Sequence, residues 1–156
     1  MTMKKALLIP IVIYLLTACA GGGDSSSESS NATSQQDLPS IDQYDPNRGV
    51  GKFTEVEIPD AIDPELALAG EAVFKMKCAS CHRLTDERLV GPGFKGVTKK
   101  HDAVWIMNFL TNTEEMIDLD PELQAQLEIC LVRMPNQNLT DEDTRAIYEF
   151  MRQNDE

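Results

Sequence analysis

The hydrophobic pattern divides the chain into three unequal parts. An apolar run covers residues 6–16, directly after Lys4 and Lys5. Apolar patterning is then lost until about residue 50: Gly21, Gly22 and Gly23 lead into a serine-rich run, then into Asp, Gln, Asn and Pro. From residue 50 the pattern returns. Residues 50–58 read as an extended segment with Val56 and Ile58 on one side, lying along a helical body. Four helical segments follow. Asp63-Pro64-Glu65-Leu66 sets an N-cap with proline at the first helical position. The helix it opens carries Leu66, Ala69, Gly70, Val73 and Phe74. A second helix spans about 102–110, with Val104, Trp105, Met107, Phe109 and Leu110. A third opens on Asp120-Pro121-Glu122-Leu123 and runs to about residue 131; the repeated tetrapeptide is shared capping chemistry, not an internal repeat. A fourth starts at Thr140, with Asp143 as a capping-box-like partner and an apolar stripe of Ile147, Phe150 and Met151 at i, i+3, i+4. No useful strand alternation follows Ile58. The predicted fold class is all-α, with four or so helices in one domain over residues 50–156, large enough for only a modest core of its own.

The N-terminal segments point out of the cytoplasm. Leu16-Thr17-Ala18-Cys19 ends the apolar run and resembles a bacterial lipoprotein signal. Residues 1–18 are then the signal peptide, and Cys19 is the lipidated residue. The run is shorter than the ~20 residues of a comfortable membrane span. An uncleaved anchor or a plain secretory signal are the alternatives, and both also export the rest. Residues 19–49 read as a flexible tether, which cannot bury a core and has an r.m.s. span of roughly 30 Å.

The most specific chemistry is Cys78-Ala79-Ser80-Cys81-His82. This is the Cys-x-x-Cys-His pattern of a covalently attached c-type haem. Two thiols add to the two porphyrin vinyl groups, and the histidine that follows reaches the iron. A zinc knuckle needs two further ligands at compact spacing, and the other histidine is His101. A redox dithiol needs a βαβ context that is not seen. The best sixth ligand is Met134, placed by Pro135 in a loop between the third and fourth helices. His101 and Met116 are the rivals, whereas Met76, Met107 and Met151 read as core residues. Cys130 is left over and reads as a small buried hydrophobe between Ile129 and Leu131.

From residue 70 to 152 the chain resembles a class I monohaem c-type cytochrome. Gly70 and Phe74 match the glycine and aromatic with which the family's N-terminal helix crosses its C-terminal helix. Gly91-Pro92 matches the Gly-Pro after the haem motif, and the resemblance implies that the Pro92 carbonyl accepts from the proximal imidazole. Phe94 stands where an apolar residue packs on the haem. Trp105 resembles the tryptophan near a haem propionate, a plain core aromatic being the alternative. Asn136, Gln137 and Asn138 are available to hydrogen-bond the methionine sulfur. The departure is an acidic insertion over residues 112–130. The resemblance implies a small cytochrome c fold around one covalently attached haem c. It also implies haem attachment outside the bacterial cytoplasm, on the periplasmic side of the cell envelope.

Charge sharpens the choice of partners. The formal net charge is −12, or −14 without Lys4 and Lys5. Residues 75–100 hold seven basic and two acidic residues, whereas residues 101–156 hold three basic and thirteen acidic ones. A basic segment beside the haem would steer an acidic partner. So acidic an exported chain is not a nucleic-acid binder. The expected function is single-electron transfer, with no small-molecule substrate. The resemblance implies a respiratory setting, with a quinol-oxidising complex as donor and a terminal oxidase or exported reductase as acceptor. A haem sensor or peroxidase-like protein with a displaceable sixth ligand, and a fixed haem subunit of a larger complex, are the alternatives.

Overall fold

The first described helix, α1 (Pro64–Val73), is capped as its sequence requires: Asp63 Oδ1 accepts from the Glu65 and Leu66 amides at 3.0 and 3.1 Å. The structure is a computed structural model, and it describes residues 44–156. The signal, the Cys19 lipid site and most of the tether lie outside the described residues. The other helices are α2 (Val97–Lys100), α3 (Ala103–Thr111), α4 (Thr113–Leu119), α5 (Pro121–Cys130) and α6 (Asp141–Asp155). Six helices thus stand where four or so are expected, and no strand occurs among the described residues. The acidic insertion resolves into α4 and α5. Glu114 and Glu115 sit in the first turn of α4, where the helix dipole favours them, and Met116 and Ile117 supply its buried side. Among the described residues no helix is long and apolar enough to cross a membrane.

The central contact is α1 against α6. Ala67, Gly70 and Val73 are the buried face of α1. Ala69, placed on the stripe by the sequence, is exposed, because the stripe runs through Ala67. A methyl group at Gly70 would overlap the Ala146 carbonyl oxygen and lie 2.8 Å from Phe150 Cβ. Only glycine lets these backbones approach so closely. Ile147, Phe150 and Met151 of α6 are buried, as their spacing predicts. Glu149 is fully buried and holds the crossing at its open end: it accepts from the Asp63 amide at 2.9 Å and pairs with Arg145 and Arg152. Burial raises the pKa of its carboxyl, but the Asp63 amide and the two guanidiniums outweigh that and hold it below the usual range.

Residues 44–58 form an irregular strap along the body. Tyr44, Val50, Phe53, Val56 and Ile58 pack on the core. Asn108 of α3 is fully buried and grips the strap, donating to the Arg48 and Phe53 carbonyls and accepting from the Phe53 amide. The packed region therefore begins by Tyr44, inside the stretch read as tether. Met116 is fully buried and its sulfur accepts from the Val50 amide at 2.9 Å. That environment takes it out of contention as an iron ligand.

Gly70→Ala is expected to destabilise the haem-loaded protein by about 2–3 kcal/mol, because the new methyl meets backbone that cannot rotate away. Denaturant unfolding measures this. A loss below about 0.5 kcal/mol would contradict so close a crossing.

Candidate functional site

After Val73 the helix widens into a π-helical turn, Phe74–Cys78, closed by the Ala79 amide bonding back to the Phe74 carbonyl at 2.9 Å. The wider turn shifts the side-chain phase. Met76, expected in the core, is consequently 76% exposed. Cys78 is buried at the end of the turn. The Cys81 and His82 amides then both bond the Cys78 carbonyl, at 3.0 and 2.9 Å, so the motif wraps in one tight loop. The Gly91 amide returns to the Cys81 carbonyl at 2.9 Å, and the Phe94 amide to the Arg83 carbonyl at 2.8 Å. These bonds bring the Gly91-Pro92 segment against the imidazole.

His82 Nδ1 lies 2.8 Å from the Pro92 carbonyl oxygen. With Nδ1–H donating there, Nε2 keeps its lone pair for a metal. Burial pushes the imidazole below its ordinary pKa, against the opposing pull of the Pro92 carbonyl. The ring is therefore neutral at neutral pH. A Cβ at Gly91 would stand 2.9 Å from both ring nitrogens, so this position must be bare for the imidazole to sit here. Phe94 packs against His82 with centroids 5.0 Å apart and against Phe74 at 5.2 Å, and Phe74 reaches Phe150 of α6 at 5.6 Å. An aromatic chain thus links the helix crossing to the histidine.

Two adjoining cavities, of about 250 and 290 Å³, share His82, Pro92, Phe94, Phe109, Leu123 and Met134 in their walls. They are two lobes of one cleft. Cys78 and Cys81 open on the first lobe. Leu123 and Leu127 of α5 line it at i, i+4 spacing. The cap and apolar residues of α5 predict a helix there but not which way it faces. Met134 is half-buried and lines both lobes, in a loop that begins where Leu131 takes the left-handed conformation (φ 60°) and ends α5.

Cys130 also lines the first lobe and is half-buried, flanked by Ile129 at 56% and Leu131 at 84% exposure. Apolar neighbours did not mean burial here, because α5 ends at the cleft rim. His101 lies in the second lobe, stacked on Trp105 with ring centroids 3.8 Å apart. The Trp105 indole N–H donates to Asp120 Oδ2 at 3.1 Å and leans on the Tyr44 hydroxyl, which also donates to Asp120. Trp105 offers its ring to the wall of the second lobe. Asn136 accepts from the Asn138 amide, and the Gln137 side chain donates to the Pro135 carbonyl, so both serve the loop's own backbone.

The thiols do not fit the other readings of the motif. Burial pushes the Cys78 thiol up to about 11, with Lys77 opposing and Cys81 adding to the rise. A redox dithiol needs a lowered pKa. Among the described residues no three His, Cys, Asp or Glu side chains gather as a metal cluster.

A family model described as Cytochrome c matches residues 67–155, more than half of the chain. The chain belongs to the cytochrome c family. It is 32% identical over 92 residues to cytochrome c-551 of Stutzerimonas stutzeri, a match covering 58% of this chain and 82% of that one. Its fold superposes on a cytochrome c from Rhodothermus marinus with a TM-score of 0.64 and 38% identity, over 67% of this chain and 89% of that one. An engineered form of the Rhodothermus marinus cytochrome c gives a TM-score of 0.63 and 36% identity, covering 67% and 90%. The protein is thus a class I monohaem c-type cytochrome that carries covalently attached haem c and transfers electrons. The cleft suits that group. Its donor set is two thiols, a neutral imidazole and a thioether, and its walls are predominantly apolar side chains.

Proposed function

We propose that this cytochrome is a lipid-anchored single-electron carrier whose iron is held by His82 and Met134. Cys78 and Cys81 form the thioethers. The observation that carries this reading is the convergence of all four side chains on one cleft, with His82 already oriented by the Pro92 carbonyl. The bound haem supplies a one-electron ferric–ferrous couple. Each side chain then has a defined task. Pro92 fixes the tautomer of His82 and raises its basicity. Met134 offers a soft sulfur that favours the reduced state and raises the reduction potential. Phe94, Phe109, Leu110, Leu123 and Leu127 exclude water. Held by both His82 and Met134, the iron would leave no place for a substrate, and the chain would act as a carrier rather than an enzyme.

The setting follows from the ends and the charge. Lipid on Cys19 and a tether of some 25 residues before the packed strap at Tyr44 keep the domain near one membrane while letting it swing between partners. The periplasmic side of a bacterial envelope is the compartment that suits such an anchor. Val90 and Val132 stand exposed at the cleft mouth, beside exposed Leu89, Ile129 and Leu131. Leu89 and Val90 of this rim belong to the basic segment 75–100, and that side of the cleft suits a partner with an acidic border. A quinol-oxidising complex as donor, and a terminal oxidase or exported reductase as acceptor, are the partners that fit.

The oxidised wild-type protein is expected to show a long-wavelength sulfur-to-iron charge-transfer band, and Met134→Ala to lose it and to fall in reduction potential. A band that survives in Met134→Ala would remove Met134 from the iron. In cell fractionation, Cys19→Ser is expected to release the haem-loaded domain from the membrane. Unchanged membrane retention of that variant would rule out the lipid anchor.

A further inference from the structure

The cations around the haem motif do more than set the sign of the surface. Three of the chain's cationic side chains grip the segment that carries Met134. Arg88 Nη1 donates to the Ile129 carbonyl at 2.5 Å. Arg133 Nη2 donates to the Glu114 carbonyl at 2.8 Å and to Asp118 Oδ1 at 2.6 Å. Lys77 Nζ donates to the Gln137 carbonyl at 2.9 Å. The anchored groups bracket Met134 on both sides. Lys77 directly precedes Cys78, so one of these bonds ties the thioether end of the cleft to the methionine loop.

Apart from Leu139, buried at its end, and half-buried Met134 itself, little else holds that segment in place. Leu131 is 84% exposed and Val132 55%, so apolar burial does not fix it at its start. Among the described residues no backbone-to-backbone hydrogen bond joins residues 132–139 to another element. The loop is fastened by side chains to α4, to the π turn and to the loop after His82. Hydrogen bonds from a charged donor are the stronger kind, and three in parallel must all yield before the loop can swing out.

We propose that Lys77, Arg88 and Arg133 are positioning residues that hold Met134 on the iron and govern how readily an outside ligand displaces it. The proposal rests on Met134 being the sixth ligand. It also gives the acidic insertion a role: α4 is the post to which Arg133 ties the loop.

The test is the rate at which imidazole displaces the methionine in the ferric, haem-loaded full chain, followed by loss of the sulfur-to-iron band. Lys77→Gln, Arg88→Gln and Arg133→Gln are expected to keep the band at rest and to raise the displacement rate by about threefold to fivefold each. The double variant Lys77→Gln with Arg133→Gln is expected to exceed either single one. Arg133→Lys recovers part of the slow rate, since one donor remains. Lys52→Gln, which breaks a surface ion pair with Asp141, leaves the rate unchanged. Rates within about twofold of wild type, with the band intact in every variant, would overturn the positioning role and leave Met134 ligation standing. A wild-type protein without the band would overturn both.

Discussion

The backbones of α1 and α6 meet at Gly70, and the placement of His82 follows from that crossing. A side chain at residue 70 would overlap the Ala146 carbonyl, so the helices sit at the distance that glycine allows. Phe74 and Phe150 pack beside the contact, Phe94 leans on Phe74, and His82 leans on Phe94. The imidazole is positioned by packing that begins some residues away, and its orientation is then set by the Pro92 carbonyl. Glu149 closes the same crossing at the start of α1 through the Asp63 amide. A buried carboxylate is costly alone, but here two guanidiniums and a backbone amide satisfy it.

The cleft built on this frame has two characters. Its haem-attachment side is rigid, because the Cys-x-x-Cys-His loop is closed by backbone bonds at Cys78, Cys81 and Arg83. Its methionine side is fastened by side chains. Rigidity on the first side suits a group attached once and permanently. Side-chain fastening on the second makes the Met134 loop the adjustable part of the site. Electron transfer without ligand exchange requires that this part stay shut, and the cations around the motif provide a physical means.

Much of this was legible in the sequence because it is local. The Asp-Pro-Glu-Leu caps act within three residues, and both Asp63 and Asp120 accept the amides that the pattern assigns to them. The stripe on α6 and the haem motif are equally local. What the sequence hid depends on distant partners. Asp120 caps α5 with one oxygen and takes the Trp105 indole N–H and the Tyr44 hydroxyl with the other, partners far apart in sequence. Met76 lies on a helical stripe only if the helix stays α-helical, and the π turn breaks that phase. Cys130 has apolar neighbours, yet α5 ends at a rim, so those neighbours face outward. The strap reaches back to Tyr44 because Asn108 and Met116 offer bonding partners some 60 residues further along the chain. Membership of the cytochrome c family and the covalent haem, both expected from the residues, are borne out by similarity to known cytochromes c.

If His82 and Met134 both hold the iron, as we propose, electrons pass and outside ligands do not bind. Carbon monoxide binding to the native ferrous protein at neutral pH decides this. An unchanged absorption spectrum on exposure to the gas is expected. Rapid, full formation of a carbon monoxide adduct would contradict it and would make the protein a ligand-binding haem sensor or peroxidase-like protein.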